Sequence, residues 1–424
     1  MIRLGDSGDP KVAQRVRGRP SHGAAWLVAL CLFLGLLLAP SAAFAQSADE
    51  SARFATWKQD FVASAAARGL DPGTVRAALD PLTLDQRVVA IRNTHSGFSQ
   101  PMWAYLDQTV SPARVAQARA ILVAHDDLLR ALEARYHVEP AIVVAVWGAE
   151  THFGTMSLDY NALQSLATLG FLSGRSLYTE QLAAALRMVQ SGRVTAEQLH
   201  SSWDGGLGQP QFMPITFERY AVDGDGDGRI DIWNDVDDAL ASIANVLNAG
   251  GWSHGEPALI EARTPPGFEA PPVQDRRPLA AWAALGVTRA DSSGPVDANL
   301  SDYGLLRPDA SASRTYFASQ NFRIVARYNG STRYGLAVTL LARGAEGETL
   351  APWPRPTDAL SDNEIAEAQR LLAALHYDVG DADGYYGERT WRAMNVFATD
   401  HGAESYNYPT IQLLTTLRAL TTPH

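Results

Sequence analysis

Two acidic constellations in this chain could do chemistry. The first is a single carboxyl, Glu150, near the end of the segment Val138-Glu139-Pro140-Ala141-Ile142-Val143-Val144-Ala145-Val146-Trp147-Gly148-Ala149-Glu150-Thr151-His152-Phe153-Gly154. Residues 141–147 include no polar side chain, so a helix built on them is buried on most sides. Pro140 suits the first turn of that helix, where its missing N–H is no loss. Helical spacing puts Glu150 on the face of Val143, Val146 and Trp147. A carboxyl leaving an apolar face at a helix C-terminus meets desolvation and the negative end of the dipole, and both raise its pKa. A raised pKa is what a general acid needs near neutral pH. Gly148 and Gly154 are expected to leave room for a bulky group beside it. Taken alone, the segment suits equally well a structural carboxylate that points to water.

The second constellation is Asp223-Gly224-Asp225-Gly226-Asp227-Gly228-Arg229-Ile230-Asp231-Ile232-Trp233-Asn234. It fits a calcium loop: Asp223, Asp225 and Asp227 at positions 1, 3 and 5, Gly228 at the sharp turn, the Arg229 carbonyl at 7 and Asp231 at 9. Position 12 is Asn234 instead of a bidentate Glu, with Asp235 next door as a substitute. The expectation is a weak or structural Ca²⁺ site, not a sensor. A metal-free loop rich in Asx turns is the competing reading. An all-oxygen loop without His does not suit catalytic zinc, which argues against a metallohydrolase.

The elements that must position these groups can be read from patterning. The chain has 424 residues, enough for two or three domains, and 46% of them are hydrophobic, enough for a large core. Residues 46–138 read as helical, with Arg114 to Leu132 a clear stripe through Val115, Ala118, Ile121, Leu122, Leu128, Leu129 and Leu132. Residues 255–315, rich in Pro, Ala, Asp and Ser, read as loops with short strands or a small inserted lobe. Ordered patterning returns over 320–343. Residues 345–359 hold three alternating prolines and read as a semi-rigid linker. Residues 360–420 read as three short helices around a glycine-rich turn, with one stripe through Ile365, Ala368, Leu372 and Leu375, a small but sufficient core. The turn at Asp381 to Gly384 is assigned a structural role.

The N-terminus reads as an export signal. Lys11, Arg15, Arg17 and Arg19 precede an apolar run over 24–39, and small residues follow, so cleavage is expected after Ala45. A retained membrane anchor is the alternative, although the run is short for a spanning helix. Removing residues 1–45 takes five of the 35 Lys and Arg and two of the 46 Asp and Glu, which leaves 30 against 44, a net charge of −14. Such a chain is a poor nucleic-acid binder. Cys31, the single cysteine, lies within the removed part, so neither disulfides nor thiol chemistry is expected in the mature chain.

The segment Ser201-Ser202-Trp203-Asp204-Gly205-Gly206-Leu207-Gly208-Gln209-Pro210-Gln211-Phe212-Met213-Pro214 follows Glu150 by about fifty residues. Together with VWGAETHFG at 146–154, Ala167-Thr168-Leu169 and Tyr328-Asn329-Gly330-Ser331, it closely resembles the lytic murein transglycosylase B family. The resemblance runs from about Phe54 to Ala342. Residues 360–420 separately resemble the three-helix peptidoglycan-binding domain of wall enzymes, in a shorter and less specific match.

The resemblance implies a mainly α (α+β) architecture. A lysozyme-like core would occupy about 139–254 and 320–343 within a catalytic region at 46–344, with the acidic loop and β lobe inserted. It implies cleavage of the bond between N-acetylmuramic acid and N-acetylglucosamine without net hydrolysis, the muramic acid's own 6-hydroxyl closing a 1,6-anhydro ring. Ordinary glycosidases need two opposed carboxylates, and no motif-placed second acid faces Glu150. In the family's scheme one Glu serves as acid and then as base, and the intramolecular attack benefits from high effective concentration. By resemblance Glu150 is that acid/base. Ser202 and Gln211 match positions that contact substrate or order the site, and Tyr328, Asn329 and Tyr334 match positions that line the cleft. Arg175 stands where the family usually has an arginine pair; its neighbour here is Ser176. DGGL at 204–207 replaces the more usual AGAM, which makes Asp204 an unexpected charge. Ala398 stands where Gln is usual in the binding domain, a change expected to weaken wall recognition. The catalytic step needs no cofactor; the one expected ion is a structural Ca²⁺. The expected partner is the peptidoglycan glycan strand in the periplasm, met by a monomer, with a wall-building complex as a further candidate. A hydrolytic muramidase of the same fold and a non-catalytic wall-binding protein are the competing functions.

Overall fold

The computed structural model describes residues 49–94, 100–290, 302–308 and 314–421. The chain divides into two compact units, Met1–Asp60 and Phe61–His424. In the first, residues 49–60 are helical, and the rings of Phe54 and Trp57 stack 5.8 Å apart. The expected signal at 1–45 lies outside the described residues.

The second unit is built around the apolar run that precedes Glu150. Helices α1 (Met102–Thr109), α2 (Pro112–Ala124), α3 (Asp126–Tyr136) and α4 (Pro140–Thr151) follow one another closely. Every residue of α4 from Ala141 to Gly148 is buried. That burial is possible because α2, α3, α8 (Val236–Ala249) and α10 (Thr332–Ala345) pack around α4. Each fully buried Val or Ile there contributes roughly 1.5–3 kcal/mol. The apolar stripe over 114–132 does face this core, but it belongs to two helices. The chain breaks at His125 (φ −112°, ψ 25°), where Asp126 and Asp127 open a new first turn. The break lets both halves of the stripe wrap α4.

Three further helices complete the frame: α5 (Ala162–Ser173), α6 (Ser176–Gln190) and α7 (Pro214–Tyr220). Helix α9 (Gln320–Tyr328) precedes α10. Caps set several of the helix starts. Asn161 accepts from the N–H groups of Leu163 and Gln164, Ser111 from that of Arg114, and Ser331 from that of Tyr334. A two-residue antiparallel pair, β1 (Tyr160–Asn161) with β2 (His200–Ser201), holds the Gly-rich segment beside α5.

The expected β lobe is a five-stranded antiparallel sheet. Its strands are β3 (Leu259–Arg263), β4 (Arg276–Arg277), β5 (Thr288–Arg289), β6 (Tyr303–Leu306) and β7 (Thr315–Ala318), in the order β4-β6-β7-β3-β5. Ile260 and Leu305 both pair with Phe317, and Trp282 closes the sheet's core with its indole N–H on the Tyr303 carbonyl at 2.8 Å.

Residues 362–421 form α11 (Asp362–Ala374), α12 (Glu388–Asp400) and α13 (Ile411–Thr421). Their core is continuous with side chains of α1 and α10. The proline-rich stretch before them is packed: Trp353 stacks on Tyr316 at 6.5 Å, and Arg355 pairs with both Asp107 and Asp362 at 2.5 and 2.7 Å. The turn at 381–384 is tied down by the buried Gln369, whose Nε2 donates to Asp383 Oδ1 and whose Oε1 accepts from Gly384 N–H. Ala398 is wholly buried among these helices.

Candidate active site

Glu150 sits in the last turn of α4. The residue is half-buried, yet its Oε1 atom is fully buried and has no hydrogen-bond partner among the described residues. Burial is the main reason its pKa rises to about 7, and the nearby charge of Asp204 pushes the same way. The Tyr334 hydroxyl and the Asn329 side chain are close enough to oppose the rise. Neither completes a hydrogen bond of normal geometry to it, and the Tyr334 hydroxyl is itself buried and unpartnered among the described residues. The site therefore holds an acid and a phenol with one buried oxygen each, Glu150 Oε1 and the Tyr334 hydroxyl, unpaired among the described residues. Several buried polar atoms elsewhere in the described residues also lack a partner; what sets this pair apart is an ionisable acid whose pKa is strongly raised.

The backbone after α4 is held in an uncommon path. His152, Phe153 and Gly154 have φ of 52°, 59° and 77°. Two successive non-glycine residues in the left-handed region carry roughly 1–2 kcal/mol of strain each. Packing offsets it: the Phe153 ring meets Trp147 edge-on at 5.9 Å and lies under the Arg114 guanidinium at 5.8 Å, and that guanidinium also donates to the Gly148 carbonyl. A Cβ added to Gly148 would stand 2.4 Å from Phe153, and one on Gly154 2.6 Å from the Gln209 side chain. The expectation that these glycines leave room for a bulky group is thus corrected. They admit Phe153 and Gln209, which already fill the space.

The turn between α9 and α10 brings the family-matched aromatics to Glu150. Tyr328 ends α9, Asn329 caps it, and Tyr334 lies in the first turn of α10. The rings of Tyr328 and Tyr334 stack at 6.2 Å, and the Tyr328 hydroxyl donates to the Pro210 carbonyl at 2.8 Å. Burial, reinforced by Glu150, raises both phenols well above their usual range, so they act as neutral donors.

Ser202 and Gln211 order the Gly-rich loop. Ser202 Oγ donates to Asp204 Oδ1 at 2.6 Å and accepts from Gly206 N–H at 3.1 Å. Gln211, at φ 54°, donates from Nε2 to the carbonyls of Gly206 and Gly208. Phe212 is buried core. Arg175 is exposed at the N-cap of α6, and its backbone N–H rests on Ser173 Oγ. No hydrogen bond or ion pair among the described residues joins it to the Glu150 group.

Sequence reasoning missed Gln209 and Thr151. Gln209 Oε1 accepts from the Trp147 indole at 2.8 Å, its Nε2 donates to the Trp233 carbonyl, and its own carbonyl accepts from Thr151 Oγ1 at 2.9 Å. These bonds clamp the last turn of α4 to the Gly-rich loop. The signal was available: an indole N–H inside an apolar helix needs a partner, and Gln209 is a buried amide in the matching motif.

At the acidic loop, ligand-capable atoms of Asp223, Asp225 and Asp227 lie within 4.8 Å of one another. Oxygens so spaced can share one Ca²⁺ at 2.3–2.6 Å each, so these three residues fit the ion. The other expected ligands, like these three, take part in the loop's own hydrogen bonds. Asp231 accepts from the N–H groups of Trp233 and Asn234 and from Asn234 Nδ2. Arg229 N–H donates to Asp227 Oδ1. Asp235 is the N-cap of α8. Asp238, which the sequence reading passed over, is buried and accepts from both ends of the loop, Gly224 N–H at 2.6 Å and Asp231 N–H at 2.5 Å. A cavity of about 930 Å³ beside the loop is walled by Met156, His200, Trp233 and Asn234; Glu150 does not line it.

Comparison with known proteins matches these features. A family profile described as "Transglycosylase SLT domain" covers residues 53–343, and one described as "Putative peptidoglycan binding domain" covers 361–404. Membrane-bound lytic murein transglycosylase B of Escherichia coli (strain K12) is 31% identical over 247 residues, which is 56% of this chain and 66%, just under two thirds, of that protein. SltB3 from Pseudomonas aeruginosa, solved in complex with NAG-NAM-pentapeptide, is 38% identical with a TM-score of 0.67, covering 86% of this chain and 99% of its own. Slt35, an Escherichia coli lytic transglycosylase solved in complex with calcium, is 28% identical with a TM-score of 0.59, covering 68% and 92%.

Proposed function

Because the chain belongs to the SLT-domain transglycosylases, as a lytic murein transglycosylase of the B type, we propose that it cleaves peptidoglycan strands with Glu150 as sole acid and base. The bond cut is the β-1,4 link from N-acetylmuramic acid to N-acetylglucosamine. The Glu150 carboxyl gives its proton to the bridging oxygen as that oxygen leaves C1. The carboxylate then takes the proton from the muramic acid 6-hydroxyl as that oxygen bonds to C1. Atoms balance without water, and the new end is a 1,6-anhydro sugar.

The observation that carries this reading is the buried Glu150 Oε1, unpartnered among the described residues, in a carboxyl whose pKa rises to about 7. Such a group is present as acid and as base in comparable amounts at neutral pH, which suits a residue that must serve as both. Tyr328, Tyr334 and Asn329 would line the sugar site, with Ser202 and Gln211 shaping its floor and Arg175 reaching the substrate's outer part. Mass spectrometry of the products tests the assignment. Anhydro ends lie one water below hydrolysed ends, so hydrolysed ends alone would make the protein a muramidase.

The finer assignments follow from the same reading. Ca²⁺ held by Asp223, Asp225 and Asp227 would supply a charge that binds the loop together, a structural role outside the chemical step. Calorimetry after chelator treatment checks it; no heat and no change in melting temperature would refute it. Residues 360–420 would hold the enzyme on the wall. The proposed substrate supports the cell envelope as the protein's setting, and the periplasm would be its compartment once the segment at 1–45 is removed. Among the described residues no helix is long and apolar enough to cross a membrane.

A further inference from the structure

The proline-rich stretch between α10 and α11 leaves the chain almost no slack. On its upstream side, Arg314 donates from Nη2 to the carbonyls of Ala351 and Pro352 at 3.2 and 3.0 Å, and its guanidinium lies 5.4 Å from the centre of the Trp353 ring. Trp353 is buried and stacks on Tyr316 of β7. Arg355 is the next anchor. From Nη2 it donates to Asp107 of α1 and to Asp362 of α11, and from Nη1 to the Leu360 carbonyl at 3.2 Å. Downstream, the chain already belongs to the C-terminal helices. Leu360 N–H donates to the Pro409 carbonyl at 3.1 Å, and Ile411 N–H to that of Asp358 at 2.9 Å. Between the two anchorages stand residues 356 and 357, and Pro356 has a fixed φ. Two residues span at most about 7 Å when fully extended. A domain on so short a lead cannot swing as a tethered one would.

Arg355 also closes the seam between the two parts. Its guanidinium lies over the Trp103 ring at 4.7 Å, and Trp103 and Asp107 share one face of α1, four residues apart. Trp103 in turn stacks on Tyr386 at 6.4 Å, and Gln100 Nε2 donates to the Tyr386 carbonyl at 2.6 Å. The side chains of Arg355 and Asp107 are 26% and 28% exposed. A pair so sheltered, held by a planar guanidinium that is itself stacked, is firmer than a pair on the open surface.

We propose that Trp353 and Arg355 are positioning residues that fasten the C-terminal helices to the catalytic region, so that a glycan strand held by those helices is presented to Glu150 at one fixed offset. This rests on the wall-binding reading of residues 360–420. The stretch is then a clasp and not a spacer. Neither residue touches the reacting atoms. A fixed neighbour holds its strand at the cleft in one placement, whereas a loose one averages over many placements that do not lead to cutting.

The test pairs a distance measurement with a rate comparison. A Cys31→Ser background has no other cysteine, so Val123→Cys of α2 and Val396→Cys of α12, both exposed positions, can carry spin labels. Pulsed electron resonance should give one narrow distance in this parent protein. Adding Trp353→Ala and Arg355→Ala together, in a protein first shown by its melting curve to be folded, should broaden the distribution. The double variant should still sediment with the wall and cleave soluble uncrosslinked strands at the parent rate, while its rate on intact sacculi falls roughly 10-fold. Arg355→Lys keeps the charge but not the planar fork and should fall between the two. A broad distribution in the parent overturns the proposal, and so does a double variant whose ratio of sacculus to soluble-strand rates is unchanged. Should the double variant not fold, Arg355→Lys and Asp107→Asn are judged by the same two measurements. A parent protein that does not sediment with the wall, or cleaves no strand, refutes the wall-enzyme reading separately, while the distance distribution still judges the fastening.

Discussion

Glu150 and the acidic loop place the same functional group in opposite settings. Glu150 has a buried oxygen that nothing among the described residues satisfies, and its pKa climbs to about 7. Asp223 is half-exposed, and its two oxygens accept from Gly226 and Gly228 N–H groups at 2.6 and 2.8 Å, bonds that hold its pKa below the usual carboxylate range. Backbone donors stabilise the anion at one place, and burial without donors destabilises it at the other. The first arrangement suits holding a cation or a turn; the second suits giving and taking a proton. The protein thus sets carboxyl chemistry through donor supply as much as through depth.

The comparison breaks most visibly if Glu150 is made unable to ionise. Glu150→Gln should lower strand cleavage by about 10²–10⁴-fold or more, the usual worth of general acid–base catalysis. Folding and sedimentation with the wall should be unaffected. Activity within tenfold of wild type in product-release assays would remove Glu150 from the mechanism.

A smaller but still large effect is expected at Gln209. Replacing this buried amide with Ala strips the Trp147 indole and the Trp233 carbonyl of their partner. Leaving such groups unsatisfied costs roughly 1–3 kcal/mol. Denaturant unfolding should show the loss, and kcat should fall with it because the end of α4 is no longer clamped. Unchanged stability would mean that water replaces the amide at no penalty.

Glu150→Gln should also stabilise the protein in a pH-dependent way. A carboxyl whose folded pKa is raised binds more protons folded than unfolded, so wild-type stability falls as pH rises from about 4.5 to about 7. The full shift corresponds to about 3 kcal/mol; partial exposure of the residue reduces this to roughly 1–3 kcal/mol. The variant should therefore melt above wild type at pH 8 and level with it at pH 4. A gap that does not change with pH would contradict the buried-acid picture.

The smallest effect belongs to the loop. Asp223→Asn keeps the shape but removes the charge and leaves an oxygen for only one of the two N–H groups, a small loss of stability. Its stability gap should narrow in acid as the wild-type Asp223 protonates, the reverse of the Glu150 trend. Thermal melts across pH 2–7 would show whether the two trends cross.

Much of this was legible in the sequence, for identifiable reasons. The seven-residue apolar run with Pro140 before it and a lone acid behind it specified α4 and its buried face, because only an all-round-buried helix tolerates that pattern. The alternating Asp-Gly pattern specified a tight acidic turn. The clamp made by Gln209 and Thr151 was less visible, since both lie in stretches where packing and bonding residues look alike and the partners are about sixty residues apart. The break at His125 was hidden because the apolar stripe keeps its phase across it. Asp238 was passed over for a similar reason. Asp235 and Asp238 both suit the start of a helix, and only the fold decides which one caps α8 and which reaches back to the loop. The stretch at 345–359 reads as spacer from its prolines, but Trp353 and Arg355 within it find partners distant in sequence.

The most direct test of the central claim is the titration of Glu150 itself, followed by carbon NMR of a labelled carboxyl in the folded enzyme and compared with the alkaline limb of kcat/KM. The account predicts a midpoint near 7 in both. A midpoint near 4.5, with activity unchanged through pH 7, would contradict it.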